Sequence, residues 1–197
     1  MIGYRILGKS RSRTALLVHG LFSSAGFWLP YLGAFKDFRL IILDIDYGRI
    51  ELLDQYIDGL RSVIDIEASG CADVIVAHSL GTLLANGLTP SYRKASFEIC
   101  PVYCAKRNNT ENFVEEIEGR LSNSVTKTQI VKILKHVDST VRTYVSQRAR
   151  TSERAVYIPD SDLYFAYEPK SKYVRFQGDH FDIAMAVKDI EVAVSRF

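Results

Sequence analysis

The chain has 197 residues, 47% of them hydrophobic, and a formal net charge of only +2 at pH 7. That length suits a single domain with a sizeable core, and the balanced charge gives no argument for binding nucleic acid. The amino-terminal segment lacks the apolar stretch of a signal peptide, and no run approaches the length that spans a bilayer. We therefore expect a cytoplasmic protein whose partner is a small molecule rather than nucleic acid or a membrane.

Three cysteines, Cys71, Cys100 and Cys104, are the chain's only thiols. Their odd number and their spacing argue against a disulfide framework and against a zinc site. We expect free thiols that pack as small hydrophobic groups, as buried cysteines usually do.

Apolar runs alternate along the chain with segments of helical periodicity. The predicted elements, in chain order, are strands at 4–7 and 14–19, a helix from Ser23 or Ser24 toward Phe35, a strand at 39–44, a helix at 51–68, a strand at 73–77, a helix at 80–88, a strand within 94–104, strands at 154–158 and 173–176, and a helix at 181–197. Such alternation is typical of a mostly parallel, doubly wound α/β sheet in one domain, 1–197. Ligands of such sheets bind at the carboxyl ends of the strands, so the loops there are the place to look for a site.

Residues 106–151 interrupt this alternation, since they contain no convincing strand. A short helix is predicted at 111–121 and a longer one at 126–148, where Thr126 and Gln129 have the spacing of a capping box. The apolar face of the longer helix comprises Ile130, Ile133, Leu134, Val137, Val141, Tyr144 and Val145. We interpret the segment as a helical insert, either a lid over the sheet or an extra packing layer.

Ser79 lies in the stretch VIVAHSLGTLLA, between a predicted strand and a predicted helix. The small residues Ala77 and Gly81 let strand and helix approach closely around a sharp turn. The turn would expose the hydroxyl at a helix N-terminus, where backbone N–H groups favour negative charge. This is the spacing of a nucleophile elbow, G-x-S-x-G, with Ala77 in place of the first glycine. The alternative is a serine that only caps the helix.

A serine nucleophile needs a base to take its proton, and the chain has four histidines. His136 lies off the apolar face of the insert helix. His78 is adjacent to Ser79, and neighbouring side chains at a turn usually point apart. His19 ends the first buried strand, whereas His180, in FQGDHFDIA, follows the last strand and can reach the carboxyl end of the sheet. We therefore expect His180 to be the base.

The acid that orients the imidazole should follow a strand between Ser79 and His180. The stretch YIPDSDLYF supplies two candidates, Asp160 and Asp162. We favour Asp162, because Asp160 follows strand and Pro159 so closely that capping the next turn suits it. Either aspartate could instead be a solvated turn residue.

Carbonyl chemistry also requires hydrogen-bond donors for the developing oxyanion. The backbone N–H of Leu80, directly after the serine, is one candidate. The second should come from the loop after LLVHG, where we favour Leu21 over Phe22.

Taken together, four motifs resemble those of the α/β-hydrolase family, in family order and over nearly the whole chain. LLVHGLFSSAGFW resembles the oxyanion strand and loop, VIVAHSLGTLLA the nucleophile elbow, YIPDSDLYF the acid loop and FQGDHFDIA the terminal histidine loop. The resemblance implies Ser79 as nucleophile, His180 as general base and then acid, and Asp162 as its orienting partner. Proline in the acid loop, where the family often has glycine, leaves the choice between the two aspartates open.

The resemblance further implies a small serine hydrolase that cleaves an ester or thioester through an acyl-enzyme intermediate, with no metal or organic cofactor. C–C hydrolysis, amide hydrolysis and acyl transfer would use the same residues. Phe22, Phe27 and Trp28, near the first loop, suggest an apolar acyl pocket, and the family's frequent lids favour that role for 106–151. An alternative of another class is a non-catalytic ligand-binding or receptor module on the same fold.

Overall fold

Nine strands form two sheets in the computed structural model, which describes residues 2–47, 53–107, 111, 113–115, 117, 126–147, 155–167 and 172–196. The strands are β1 Ile2–Leu7, β2 Arg13–Val18, β3 Phe38–Ile45, β4 Ala72–His78, β5 Arg93–Ile99, β6 Ala105–Arg107, β7 Ala155–Pro159, β8 Phe165–Tyr167 and β9 Tyr173–Phe176. Seven of them make the main sheet in the order β1-β3-β2-β4-β5-β7-β9. β1 runs antiparallel to β3 and the other pairs are parallel. The predicted fold class, a mostly parallel α/β sheet, is therefore confirmed.

Four α-helices are described: α1 Leu53–Glu67, α2 Gly81–Gly87, α3 Lys127–Gln147 and α4 Ala184–Val194. The described residues among 111–117 are also helical, within the helix predicted there, and the rest of that prediction lies outside the described residues. None of the helices in the described ranges is long and apolar enough to cross a membrane.

The central strands are buried on both faces, which explains their nearly continuous apolar sequences. Successive side chains point to opposite sides: Leu16 and Ile75 join the hydrophobic cluster beneath α1 and α2, whereas Leu17 and Val76 join the cluster on the other face. The second cluster is covered by α4 and by the segment Ala25–Phe35. With both faces filled, the carboxyl edge of the sheet is left for a ligand.

The segment Ala25–Phe35 consists of 3-10 turns rather than the predicted α-helix. Ser24 caps it as expected, since its Oγ accepts a hydrogen bond from the Gly26 N–H at 3.2 Å. Pro30 lies inside the segment, where it removes a backbone donor and disfavours a regular α-helix.

The insert begins with a strand, so the prediction of a strand-free segment 106–151 was wrong at its start. β6 pairs antiparallel with β8, Lys106 opposite Ala166. A three-residue strand is too short to produce a periodic signal, and its partner is distant in the chain. The helix prediction is confirmed: in the capping box before α3, the Thr126 N–H donates to Gln129 Oε1 at 2.8 Å and the Gln129 N–H donates to Thr126 Oγ1 at 3.3 Å.

Ile130, Leu134 and Val137, on the apolar face of α3, are buried. The side chains of Tyr144 and Val145, assigned to the same face, lie outside the described residues. The division of the chain into one domain, 1–197, with a helical insert at 106–151 that could act as a lid, stays a prediction.

Candidate active site

Ser79 lies at a sharp turn between β4, which ends at His78, and α2, which begins at Gly81. Its φ of 51° is in the left-handed region, which few non-glycine residues adopt. Backbone bonds hold it there: the Ser79 N–H donates to the Ile99 carbonyl at 2.9 Å, and the Ser79 carbonyl accepts from the Thr82 N–H at 3.1 Å. Such strained residues are characteristic of functional sites.

Two glycines allow neighbouring strands to close around this turn. A Cβ on Gly81 would lie 2.5 Å from the His19 carbonyl oxygen. A Cβ on Gly20 would lie 2.8 Å from the Cβ of Ser79. The expected close approach of strand and helix at Gly81 is therefore present, and the end of β2 packs directly against the serine.

Ser79, His180 and Asp162 form one hydrogen-bonded series. The Nε2 of His180 lies 3.0 Å from Ser79 Oγ, and its Nδ1 lies 3.1 Å from Asp162 Oδ2. A carboxylate can only accept, so Nδ1 carries the proton and Nε2 is free to accept from the serine hydroxyl. The serine hydroxyl thus meets an imidazole rather than the backbone N–H groups of α2, which disfavours a role as a helix cap.

The two candidate aspartates of the acid loop have different hydrogen-bond and ion-pair partners. Asp162 Oδ1 accepts the backbone N–H groups of Tyr164 at 2.9 Å and Phe165 at 3.0 Å, which leaves Oδ2 aimed at His180. Asp160 is exposed and pairs with Arg175 at 2.8 Å. The structure therefore brings Asp162, and not Asp160, to the imidazole.

The residues that carry the candidate oxyanion donors lie in the wall of one pocket. Leu21, Phe22 and Leu80 all line the pocket beside Ser79. The backbone N–H groups of Leu21 and Leu80 donate no hydrogen bond within the described part of the chain. Phe22 has a φ of 56°, which turns the chain sharply directly after Leu21.

The pocket in front of Ser79 is small and mostly apolar, with a cavity volume of about 70 Å³. Its lining comprises Leu21, Phe22, Ser23, Phe27, His78, Ser79, Leu80, Val102, Phe113, Ile117, Leu134, Val137, Phe165, His180 and Phe181. Four of these come from the insert, which therefore covers the site. Phe22 and Phe27 line the pocket as expected, but Trp28 does not: it is wholly buried in the core.

Solved structures share this architecture over nearly their whole length. A carboxylesterase of the ammonia-oxidizing thaumarchaeon Nitrososphaera gargenis has a TM-score of 0.64 at 13% identity, over 99% of this chain and 94% of its own. The N-acyl homoserine lactonase AidH has a TM-score of 0.62 at 15% identity, over 100% and 92%. The enol-lactonase from Burkholderia xenovorans LB400 has a TM-score of 0.61 at 13% identity, over 99% and 95%. The chain has the α/β-hydrolase fold.

No protein-family model and no curated sequence matches the chain significantly. At 13–15% identity these three solved structures establish the fold alone. In an α/β-hydrolase fold the carboxyl edge of the sheet is where a nucleophile, an acid and a histidine loop can converge. The chemistry of this chain must therefore be argued from its own side chains.

The remaining histidines are His19, His78 and His136. His136 is exposed, as predicted. His19 is buried, its Nδ1 donating to the Gly20 carbonyl at 2.8 Å and its Nε2 accepting from the Ile45 N–H at 2.9 Å. Burial lowers the pKa of His19, so its ring is uncharged at neutral pH, and its role is structural.

His78 was set aside as the base because neighbouring side chains at a turn usually point apart, and within the described residues no hydrogen bond joins its ring to the Ser79 hydroxyl. Its ring is buried in the pocket wall, 5.2 Å from the ring of His180 between centroids. The signal that could have revealed His78 was a polar ring at the end of the otherwise apolar run VIVAH.

The cysteines are free thiols, as predicted. Burial raises the pKa of the Cys100 thiol well above its usual value, so this residue is a poor nucleophile. Over the described ranges no group of three or more His, Cys, Asp and Glu side chains is arranged to hold a metal ion.

Proposed function

We propose that the chain is a serine hydrolase that cleaves esters or thioesters of short acyl groups through an acyl-enzyme intermediate. One observation carries the proposal: Ser79 Oγ, the His180 imidazole and the Asp162 carboxylate form a continuous hydrogen-bonded series beside a pocket. His180 is only 1% exposed, so its partners are these side chains rather than bulk water.

In the first half of the reaction, Ser79 Oγ attacks the carbonyl carbon of the substrate while His180 Nε2 takes the hydroxyl proton. Asp162 stabilises the imidazolium through the Nδ1–H bond. The backbone N–H groups of Leu80 and Leu21 are the proposed donors to the developing oxyanion. When the tetrahedral intermediate collapses, the bond to the leaving group breaks and His180 returns the proton to that oxygen or sulfur.

In the second half, a water molecule attacks the carbonyl carbon of the acyl-enzyme. His180 Nε2 takes a proton from the water, and the second tetrahedral intermediate releases the acid as the bond to Ser79 Oγ breaks. The proton then passes from His180 to Ser79 Oγ, which restores the resting site.

The size and lining of the pocket support a short, uncharged acyl group. A cavity of about 70 Å³ has room for roughly five non-hydrogen atoms, at about one water-sized sphere per 10–15 Å³. Apolar side chains from both the segment Ala25–Phe35 and the insert, such as Phe27 and Leu134, line it. Burying an alkyl chain among them is favourable, whereas an unpaired charge there would be costly.

The test is a series of p-nitrophenyl esters from acetate to decanoate, with one short acyl thioester alongside. We expect the highest kcat/KM for short chains and a decline for chains that exceed the cavity. Ser79→Ala should lower kcat by more than about 10³-fold. Ser12→Ala, at an exposed serine directly before β2, is the control and should retain wild-type rates. Folded protein that turns over none of these substrates would instead favour the non-catalytic binding module.

A further inference from the structure

His78 lies between the proposed nucleophile and the proposed base. It directly precedes Ser79 and is 2% exposed. Its Nε2 lies 2.8 Å from the backbone carbonyl oxygen of His180, a residue 102 positions away in the chain. A side chain on the elbow therefore contacts the main chain of the very residue whose ring contacts Ser79.

The direction of this hydrogen bond follows from its partners. A carbonyl oxygen can only accept, so Nε2 of His78 carries the proton. Burial, with the neighbouring His180 adding to the effect, lowers the pKa of His78 well below its ordinary value. The ring is therefore neutral, and its Nδ1 is an acceptor.

That Nδ1 is buried and has no hydrogen-bond partner among the described residues. It faces Gly20, 3.3 Å from where a Cβ would stand. One face of the ring stacks on Phe27, with centroids 4.5 Å apart and planes 19° apart. A phenyl ring would make the same stack without burying an unpaired acceptor. The Nε2–H bond is therefore what distinguishes histidine here from a hydrocarbon ring.

Two hydrogen bonds join the loop 177–183 to the elbow within the described residues: the one from His78 and the one between His180 and Ser79. The other bonds of this loop are internal or lead to the acid loop, to α4 and to Tyr31. The Gly178 carbonyl accepts from the N–H and the hydroxyl of Ser161, the Ile183 carbonyl accepts from the Val187 N–H, and the Ile183 main chain bonds Tyr31. Of the two bonds to the elbow, the one between His180 and Ser79 changes during proton transfer, whereas the one from His78 does not.

We propose that His78 is a positioning residue whose Nε2–H holds the His180 main chain, keeping the imidazole within hydrogen-bond reach of Ser79 Oγ. Its effect on rate rests on the proposed serine hydrolase function. Its effect on the loop does not, since the bond exists without substrate. A displacement of about 1 Å at such a site costs about 10²-fold in rate.

Three substitutions at position 78 separate the bond from the ring. His78→Phe keeps a flat ring against Phe27 and removes both nitrogens. His78→Gln can place an amide N–H where Nε2 lies. His78→Asn is polar but too short to reach the His180 carbonyl. We would measure p-nitrophenyl acetate kinetics, thermal unfolding, and hydrogen exchange of the backbone amides of 178–183.

We expect His78→Phe and His78→Asn to lower kcat by about 10²-fold with KM within about twofold. In both variants, the amides of 178–183 should exchange faster than in the wild type. His78→Gln should recover most of both losses. If His78→Phe does not fold, kcat and amide exchange are compared between His78→Asn and His78→Gln alone.

Wild-type kcat and exchange in His78→Phe or His78→Asn would overturn the inference. Equal losses in all three variants would also overturn it, because the imidazole and not the bond would then matter. If the wild type hydrolyses no ester, the proposed function fails, but the exchange measurement still decides the inference. Faster exchange of the amides of 178–183 in His78→Asn than in His78→Gln supports the positioning role of His78, and equal exchange in the two variants contradicts it.

Discussion

Ser79 and Asp162 illustrate how single residues are prepared by their local backbone. The left-handed φ of Ser79 costs on the order of 1 kcal/mol or more and directs its hydroxyl toward His180. One carboxylate oxygen of Asp162 accepts hydrogen bonds from two backbone N–H groups, and the other accepts from the imidazole. In each case the main chain fixes the direction of the functional atom.

Asp162→Asn is expected to lower kcat for p-nitrophenyl acetate by about 10⁴-fold. An amide cannot stabilise the imidazolium, and its N–H can force the wrong imidazole tautomer. Asp160→Asn is the matched control two residues away. It loses only an exposed ion pair with Arg175, and its kcat should stay within about twofold of wild type. Equal losses in both variants would contradict the role assigned to Asp162.

At the scale of elements, the site depends on the close approach of β2, β4 and α2. Gly81 and Gly20 make that approach possible because neither carries a Cβ. The carbonyl of His19 lies where a side chain on Gly81 would stand. The strand-to-helix turn is thus held in shape by packing of backbone against backbone.

Gly81→Ala should lower the free energy of unfolding by about 1–3 kcal/mol, because the added methyl overpacks the junction. Gly33→Ala is the control, since its Cβ would meet nothing within 4 Å. That variant should stay within about 0.5 kcal/mol of wild type. Urea unfolding measures both. A Gly81→Ala protein as stable as the control would show that the junction is not tightly packed.

The insert shapes the pocket through α3, whose Leu134 is 2% exposed and lines the cavity. Leu134→Ala removes three carbon atoms and should shift the best p-nitrophenyl ester toward longer acyl chains. The adjacent Lys135→Ala, on the exposed face of the same helix, should leave the preference unchanged. An unchanged preference in folded Leu134→Ala would contradict the placement of the acyl group against the insert.

Elements buried on both faces were predictable from sequence, because their apolar runs leave little choice; β4 at Ala72–His78 contains the predicted 73–77. The 3-10 segment and β6 were not. Proline inside an apolar segment and a three-residue strand both weaken the periodic signal. Asp160 and Asp162 could not be separated by sequence, since the choice depends on which carboxylate the turn presents to His180. The hydrogen bond from His78 to the His180 carbonyl was not predicted, because it joins residues 102 positions apart in the chain.

For the molecule as a whole, two buried neutral histidines, His19 and His78, link stability to pH. Burial lowers the pKa of both rings in the folded state. The unfolded rings bind protons as the pH falls through about 6.5, while the folded rings bind them only at lower pH. The unfolded state then binds more protons, so stability is complete above that pH and decreases below it.

The free energy of unfolding should therefore fall between about pH 7 and pH 5, by at most about 1.4 kcal/mol per pH unit for each ring. His78→Gln removes one of these rings and should reduce the slope. Urea unfolding at several pH values measures the slope for both proteins. Stability that rises over this range, or an unchanged slope in His78→Gln, would contradict the assignment of buried neutral rings.

The most direct test of the account is covalent labelling of the folded protein with a fluorophosphonate, followed by peptide mass spectrometry. The probe reacts with a serine that a neighbouring base has activated. We predict one adduct per chain, on the peptide that contains Ser79. The adduct should be absent from Ser79→Ala and from urea-unfolded protein, and retained in Ser12→Ala. Folded wild-type protein that carries no adduct, or carries it on another serine, would contradict the proposal that Ser79 is an activated nucleophile.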